Sequence, residues 1–101
     1  MSNNRILRHV SIRGRVQGVG FRAFVEHHAL QRGLEGWARN RRDGSVEAVF
    51  GGDKDAVEGI IKACRVGPHS AKVEALDQRE ATDTEFSLRN PGQMFSCLPT
   101  V

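Results

Sequence analysis

Between Arg8 and Val16 the chain alternates: Val10, Ile12, Gly14 and Val16 fall on one face, and His9, Ser11, Arg13 and Arg15 on the other. A period of two belongs to a half-buried strand. After a short glycine-bearing stretch the period changes. Phe21, Phe24, Val25, His28 and Ala29 recur at helical spacing and Gly33 supplies a stop, so the spacing predicts a helix from about Gly20 to Arg32. A strand that passes into a helix across so short a turn restricts the folds open to the rest of the chain.

The rest of the chain extends the pattern. Leu34 to Arg41 and Ser45 to Phe50 flank Arg42-Asp43-Gly44, and Asp-Gly between strand-like runs signals a hairpin. Asp53 reads as an N-cap, with Ala56, Val57, Ile60, Ile61 and Cys64 as an apolar stripe behind it and a stop before Gly67-Pro68. Lys72 to Arg79 reads as a strand with Val73, Ala75 and Leu76 apolar. Phe86 to Arg89 is expected to be a short final strand or the end of that sheet. The predicted class is α+β, a ferredoxin-like βαββαβ sandwich with a mostly antiparallel sheet and two helices on one face. One domain is expected over 1–101, with its core at about 8–89 and a tail at 90–101. The tail has two prolines, one glycine and no period. Its Met94, Phe95 and Leu98 either pack on the sheet, bind a partner or stay disordered.

A chain of 101 residues supports a modest core without staples. No apolar run approaches the roughly 20 residues of a membrane helix. The opening MSNNRILRHV lacks an apolar stretch with a cleavage site, so the expected location is the cytoplasm. Cys64 and Cys97 make neither a disulfide framework nor a metal-ligand cluster; Cys64 is expected to be a buried hydrophobe. A formal charge of +3 and a pI near 9.4 suit an anionic partner without choosing between nucleic acid and a small phosphate.

The turn itself, within Gly14 to Arg22, reads GRVQGVGFR. Glycine-rich backbone can turn successive N–H groups into one concavity, and a following helix adds its positive end. Arg22 falls in the first helical turn, where a cation opposes the helix dipole at about 0.3–1 kcal/mol. A bound phosphate would reverse that penalty. Glycines also make plain strand-to-helix turns, so spacing alone leaves both readings open. Neither GxxxxGK[ST] nor GxGxxG is present: Gly20 is followed by Phe21, and Ala23 stands where a third glycine would be.

Two blocks go further. Gly14-Arg15-Val16-Gln17-Gly18-Val19-Gly20-Phe21-Arg22 closely resembles the signature of the acylphosphatase family. So does Gly36-Trp37-Ala38-Arg39-Asn40 followed by Asp43-Gly44-Ser45-Val46. Gly67-Pro68 with Ala71 and Val73, then Phe86 and Arg89, is a weaker echo, and the resemblance covers about Arg8 to Arg89. It implies hydrolysis of acyl phosphates on this same fold. It also implies that Arg22 binds the phosphate, that Asn40 orients the attacking water, and that the loop of Arg15, Val16, Gln17, Gly18, Val19, Gly20 and Phe21 supplies donors to the phosphate oxygens. Such a reaction expels a carboxylate, whose conjugate acid has a pKa near 4, so it needs no strong general acid. No metal and no cofactor are expected. The overall expectation is a cytoplasmic monomer acting on a small acyl phosphate, with neither nucleic acid nor membrane as partner.

Other residues read as structural. Trp37 is expected to pack; of His27 and His28, one should face the core edge and the other solvent. Glu26 and Glu35 lack a paired carboxylate and read as solvated, and Ser45 and Ser87 have no nucleophile setting. Arg39, Arg41 and Arg42 either form a solvated hairpin end or steer an anionic substrate. An RNA recognition motif shares the element order but needs aromatics on its central strands, where this chain offers only Phe50. A second alternative is a non-catalytic domain of the same family that works with a partner.

Overall fold

The computed structural model describes residues 4–101. The reading of the extreme N-terminus falls in part on residues 1–3, outside them. The chain runs β1 (Arg5–Arg15), α1 (Phe21–Gln31), β2 (Glu35–Asn40), β3 (Val46–Asp53), α2 (Lys54–Val66), β4 (Lys72–Glu80), α3 (Asp83–Phe86) and β5 (Phe95–Cys97). The strands form one sheet in the order β4-β1-β3-β2-β5. The first four pair antiparallel, with Val10 opposite Ala48 and Gln78, and Trp37 opposite Val49. β5 joins the outer edge of β2 in parallel, placing Phe95 opposite Gly36 and Cys97 opposite Ala38.

The alternation of β1 places Val10 and Ile12 under the two long helices. They pack with Ala38, Val46, Ala48 and Phe50 against Phe21, Val25 and Ala29 of α1 and Val57, Ile60, Ile61 and Cys64 of α2. Burying each large apolar side chain of this kind is worth about 1.5–3 kcal/mol. α2 starts as its sequence indicates, with the Asp53 carboxylate accepting from the Asp55 amide at 3.2 Å. Burial pushes the Cys64 thiol up to about 12, which fits a packing residue. Phe50 faces the helices and stacks on Phe95 with ring centres 6.0 Å apart. It is therefore not available on the open face of the sheet for base stacking.

The opposite face carries a smaller cluster of Trp37, Val49, Ala81 and Leu98, flanked by Leu7 and Phe86. Trp37 packs as expected. Its indole N–H donates to the Glu85 carbonyl at 2.8 Å, and the Arg39 guanidinium lies 4.7 Å from its ring centre.

In the C-terminal third one expectation changes and one open reading is decided. Phe86 to Arg89 is not a strand, because Thr82-Asp83-Thr84-Glu85 forms a capping box that starts α3. The Thr82 hydroxyl accepts from the Glu85 amide at 3.1 Å, and the Glu85 carboxylate accepts from the Thr82 amide at 2.9 Å. Of the readings left open for the tail, packing on the sheet is the one observed. Phe95 and Leu98 are buried and Phe95–Cys97 is the fifth strand.

Glu85 also receives two hydrogen bonds from Arg79, at 2.9 and 2.6 Å. These bonds, helped by the Thr82 amide, pull its carboxyl from an ordinary 4.5 down to about 2. A depressed carboxyl stabilises the fold above its unfolded value and loses that contribution as pH falls through the folded one. Glu85→Gln keeps a side chain suited to the capping box and removes only the charge. It should melt below the wild type at neutral pH, and the gap should close between about pH 4.5 and pH 2 as the wild-type carboxyl protonates. Thermal melts across that range check this.

Candidate active site

β1 and β2 both pair antiparallel with β3, so they run parallel to each other and their C-terminal ends share one edge of the sheet. The loop after β1 and Asn40 at the end of β2 therefore meet. β1 ends in a bulge: its pairing with β4 shifts register between Arg13 and Gly14. Gly14 has φ +127°, and a Cβ there would lie 2.2 Å from the Lys72 carbonyl oxygen, so only glycine passes β4 at this point.

The chain enters α1 through Gly20, the N-cap, in a left-handed conformation with φ 80°. Glycine offers no capping side chain, and the first turn of α1 holds no acidic residue, whereas α2 has Asp53 and Asp55 at its start. The first amides of α1 are thus left without a side-chain acceptor, and the positive end of the helix is uncompensated. Arg22 adds a full positive charge in that turn.

A cleft of about 350 Å³ opens here, lined by Val16, Gly18, Gly20, Phe21, Arg22, Ala23, Glu26, Asn40 and Cys97. The two blocks that carry the family resemblance thus meet at one surface. Arg22 is half-buried, yet among the described residues its guanidinium makes no ion pair or hydrogen bond with the protein. The Asn40 amide is likewise without a protein partner among them, while its backbone is held in the sheet opposite Val46.

Three of the expected loop residues lie outside the lining. Arg15 is exposed and pairs with Lys72 on β4. Val19 packs against the core. Gln17 turns its side chain under the loop, and its amide nitrogen donates to the carbonyls of Arg41 at 2.7 Å and Ser45 at 2.9 Å. Gln17 is therefore a strut tying the loop to the β2–β3 hairpin. The hairpin is fixed in turn by Asp43, whose carboxylate accepts from the Ser45 amide and hydroxyl at 2.9 and 2.7 Å. Those bonds lower the Asp43 carboxyl below its ordinary value.

The basic run around Asn40 does not face the cleft. Glu47 on β3 accepts from Arg39 at 2.7 Å and Arg41 at 3.2 Å, and its other oxygen meets His9 at 2.6 Å. Burial alone would raise the Glu47 carboxyl, but the hydrogen bonds from His9 and Arg39 outweigh it and the net shift is downward. Glu35 is not simply solvated either: Arg89 and Arg5 bond its carboxylate at 2.6 and 2.9 Å. His28 packs on Phe24 with ring centres 4.3 Å apart, and His27 is exposed, as the helical spacing predicts. Among the described residues no group of three His, Cys, Asp or Glu side chains is arranged to hold a metal ion, and no helix is long and apolar enough to cross a membrane.

The model of the acylphosphatase family matches residues 8–90. The chain belongs to the acylphosphatase family. A curated acylphosphatase of Rhodopseudomonas palustris (strain BisB18) is 56% identical over 96 residues, covering 95% of this chain and 97% of its own. Another, from Bradyrhizobium diazoefficiens, is 52% identical over 98 residues, with 97% and 99% covered. The crystal structure of acylphosphatase from Bacillus subtilis superposes with a TM-score of 0.79 at 34% identity, covering 92% of this chain and 98% of that one. An alignment of 96 residues in a chain of 101 must run at least to residue 96, so the relatives share part of the tail beyond the acylphosphatase model.

Three lining residues were not legible beforehand. Glu26, four residues after Arg22, shares its helix face, so helical spacing could have placed it beside Arg22 at this cleft, and Ala23 is the immediate chain neighbour of Arg22. Cys97 had no sequence signal, since it arrives on β5. Its thiol lies 3.9 Å from the Arg22 carbonyl, to which it donates. Burial and then the charge of Glu26 raise the Cys97 thiol above its ordinary value, against the pull of Arg22.

The strut can be tested by stability alone. Gln17→Ala removes two hydrogen bonds but leaves each carbonyl with its backbone partner, and should cost about 1 kcal/mol. Gln17→Glu points a carboxylate at two carbonyl oxygens and should cost about 2–3 kcal/mol at neutral pH. Urea unfolding of both variants measures the difference, and the Glu variant should recover part of its loss on acidification.

Proposed function

We propose that this cleft hydrolyses acyl phosphates, with Arg22 and the amides of the 15–22 loop holding the phosphoryl group and Asn40 placing the attacking water. The observation behind this reading is that one cleft brings together a guanidinium and a side-chain amide, both without a partner among the described residues, and a helix N-terminus with no side-chain cap. An anion in the cradle is attracted by the charge and the backbone donors together. The names of the relatives support the same chemistry.

The step needs little else. The water oxygen forms a bond to phosphorus as the bond from phosphorus to the acyl oxygen breaks. The carboxylate departs with that electron pair, and both water hydrogens leave with the phosphate as dihydrogen phosphate. An amide is a poor base, so a phosphate oxygen of the substrate accepts the proton. Asn40 both donates and accepts, which suffices to aim the water in line. Arg22 and the loop donors stabilise charge on the phosphoryl oxygens. Because the leaving group is already a stable anion, the scheme requires neither a general acid nor a metal.

The wild type should hydrolyse acetyl or benzoyl phosphate with chelator present. Arg22→Ala and Asn40→Ala should each lower kcat/KM by about 10²–10³, near 3–4 kcal/mol of transition-state stabilisation. The two losses should differ in kind: inorganic phosphate should raise the melting temperature of Asn40→Ala as it does the wild type, but not that of Arg22→Ala. Equal activity in all three proteins would remove the mechanism.

A further inference from the structure

We propose that Glu26 makes the acyl end of the cleft selective against acyl groups that carry a second negative charge, favouring neutral or cationic ones. This rests on the reading of the cleft as an acyl phosphate site. The cleft has two ends. Arg22 and Glu26 lie four residues apart on one face of α1, about 6 Å along its axis. Across from them Asn40 lies two residues beyond Ala38, the register partner of Cys97, again about 6.6 Å along the strand. The Cys97 thiol donates to the Arg22 carbonyl at 3.9 Å, and in a helix that carbonyl faces the Glu26 amide, so Cys97 and Glu26 line the same stretch of the cleft. The phosphate end thus holds Arg22, Asn40 and the loop donors, and the other end holds Glu26 and Cys97.

Glu26 is half-buried, and among the described residues its carboxylate makes no ion pair or hydrogen bond. Its charge acts on the Cys97 thiol, which places it at that wall. Cys97 is exposed, but its thiol is shifted upward from an already high ordinary value and is neutral at neutral pH, so the carboxylate sets the sign of this end. A phosphoryl group seated against Arg22 directs its acyl substituent away from the loop. A succinyl group puts its free carboxylate about one helical turn from phosphorus, some 5.4 Å, and so beside Glu26. Two like charges at that range, partly screened by solvent, correspond to roughly a tenfold discrimination. An acetyl group ends short of Glu26 and carries no charge for it to repel.

The experiment compares acetyl phosphate with succinyl phosphate at low salt in the wild type, Glu26→Gln and Glu26→Lys. The wild type should favour acetyl phosphate in kcat/KM. Glu26→Gln should shrink the acetyl-to-succinyl ratio about tenfold, mainly through a lower KM for succinyl phosphate, and Glu26→Lys should shrink it further. A ratio unmoved in both variants overturns the proposal. So does an equal fall in kcat for both substrates, which would mark Glu26 as a participant in the chemistry. A parallel binding arm uses 5-phosphonopentanoate, whose carboxylate stands as many bonds from phosphorus as that of succinyl phosphate, and its methyl ketone counterpart, matched in shape and differing in charge, read by thermal shift. If the wild type hydrolyses neither acyl phosphate but binds the ketone over the carboxylate in a Glu26-dependent way, the hydrolytic reading falls and the charge selection stands. Equal binding of the two phosphonates overturns the selection even where hydrolysis holds.

Discussion

β1 and β2 are parallel with β3 running between them in the opposite sense. The rest of the cleft depends on that arrangement. It brings the C-terminal ends of two strands to one edge, with a gap of two strand spacings, about 9.6 Å, between them. The loop after β1 crosses this gap, and α1 begins on its far side. Gln17 fastens the crossing to the hairpin beneath it. Without the tie, the loop donors and Asn40 would belong to segments free to drift apart. In the proposed hydrolysis, whose leaving group departs easily, positioning of this kind carries much of the catalytic effect.

The same sheet separates charge. Side chains alternate along β2, so Asn40 faces α1 while Arg39 and Arg41 face the other side. There they meet Glu47, which His9 also contacts. Arg13 is taken by Asp77, Arg79 by Glu85, and Arg5 and Arg89 by Glu35. Most of these pairs are exposed and each adds little to stability. Collectively they keep carboxylates and guanidinium groups occupied with one another on the far face. At the cleft the balance differs: among the described residues Arg22 is unpaired at one end and Glu26 at the other. The resulting gradient along a short cleft is compatible with a ligand that is anionic at one end only.

Much of this was legible in the sequence because periodicity and turn chemistry are local. The alternation of β1, the stripe of α2 behind Asp53 and the Asp43-Gly44 hairpin each depend on neighbours a few residues away. Arg22 and Asn40 were legible through their motifs, and the structure brings both to one cleft. The misses have separate causes. Thr82 and Glu85 carried a readable capping box, but the apolar Phe86 behind it drew the segment toward a strand. Glu26 read as solvated, and what the sequence left out is the cleft it lines, because helical spacing gives the face of a residue and not what lies opposite. Gln17 read only as part of the loop expected to donate to phosphate, and the strut role of its side chain was not legible because its two carbonyl partners are 24 and 28 residues away. Cys97 and β5 had no local signal, since a strand of three residues is too short to show a period.

The tail is where that non-local information matters most. Without it β2 would be an edge strand, its outer N–H and C=O groups open to water and to other chains. The tail instead follows that edge throughout. The Gly36 amide donates to the Met94 carbonyl at 3.1 Å, the Leu98 amide to Ala38 at 2.9 Å, the Val101 amide to Asn40 at 3.3 Å, and the Arg42 amide to Val101 at 2.9 Å. Asn40 is therefore gripped on both sides, by β3 within the sheet and by the tail outside it. In the role proposed for Asn40, holding a water in line with an amide too weak to act as a base, the catalytic effect depends on the fixity of its backbone. The segment with the least sequence signal thus supplies two things the motifs cannot: a paired edge for Asn40 and, through Cys97, one wall of the cleft.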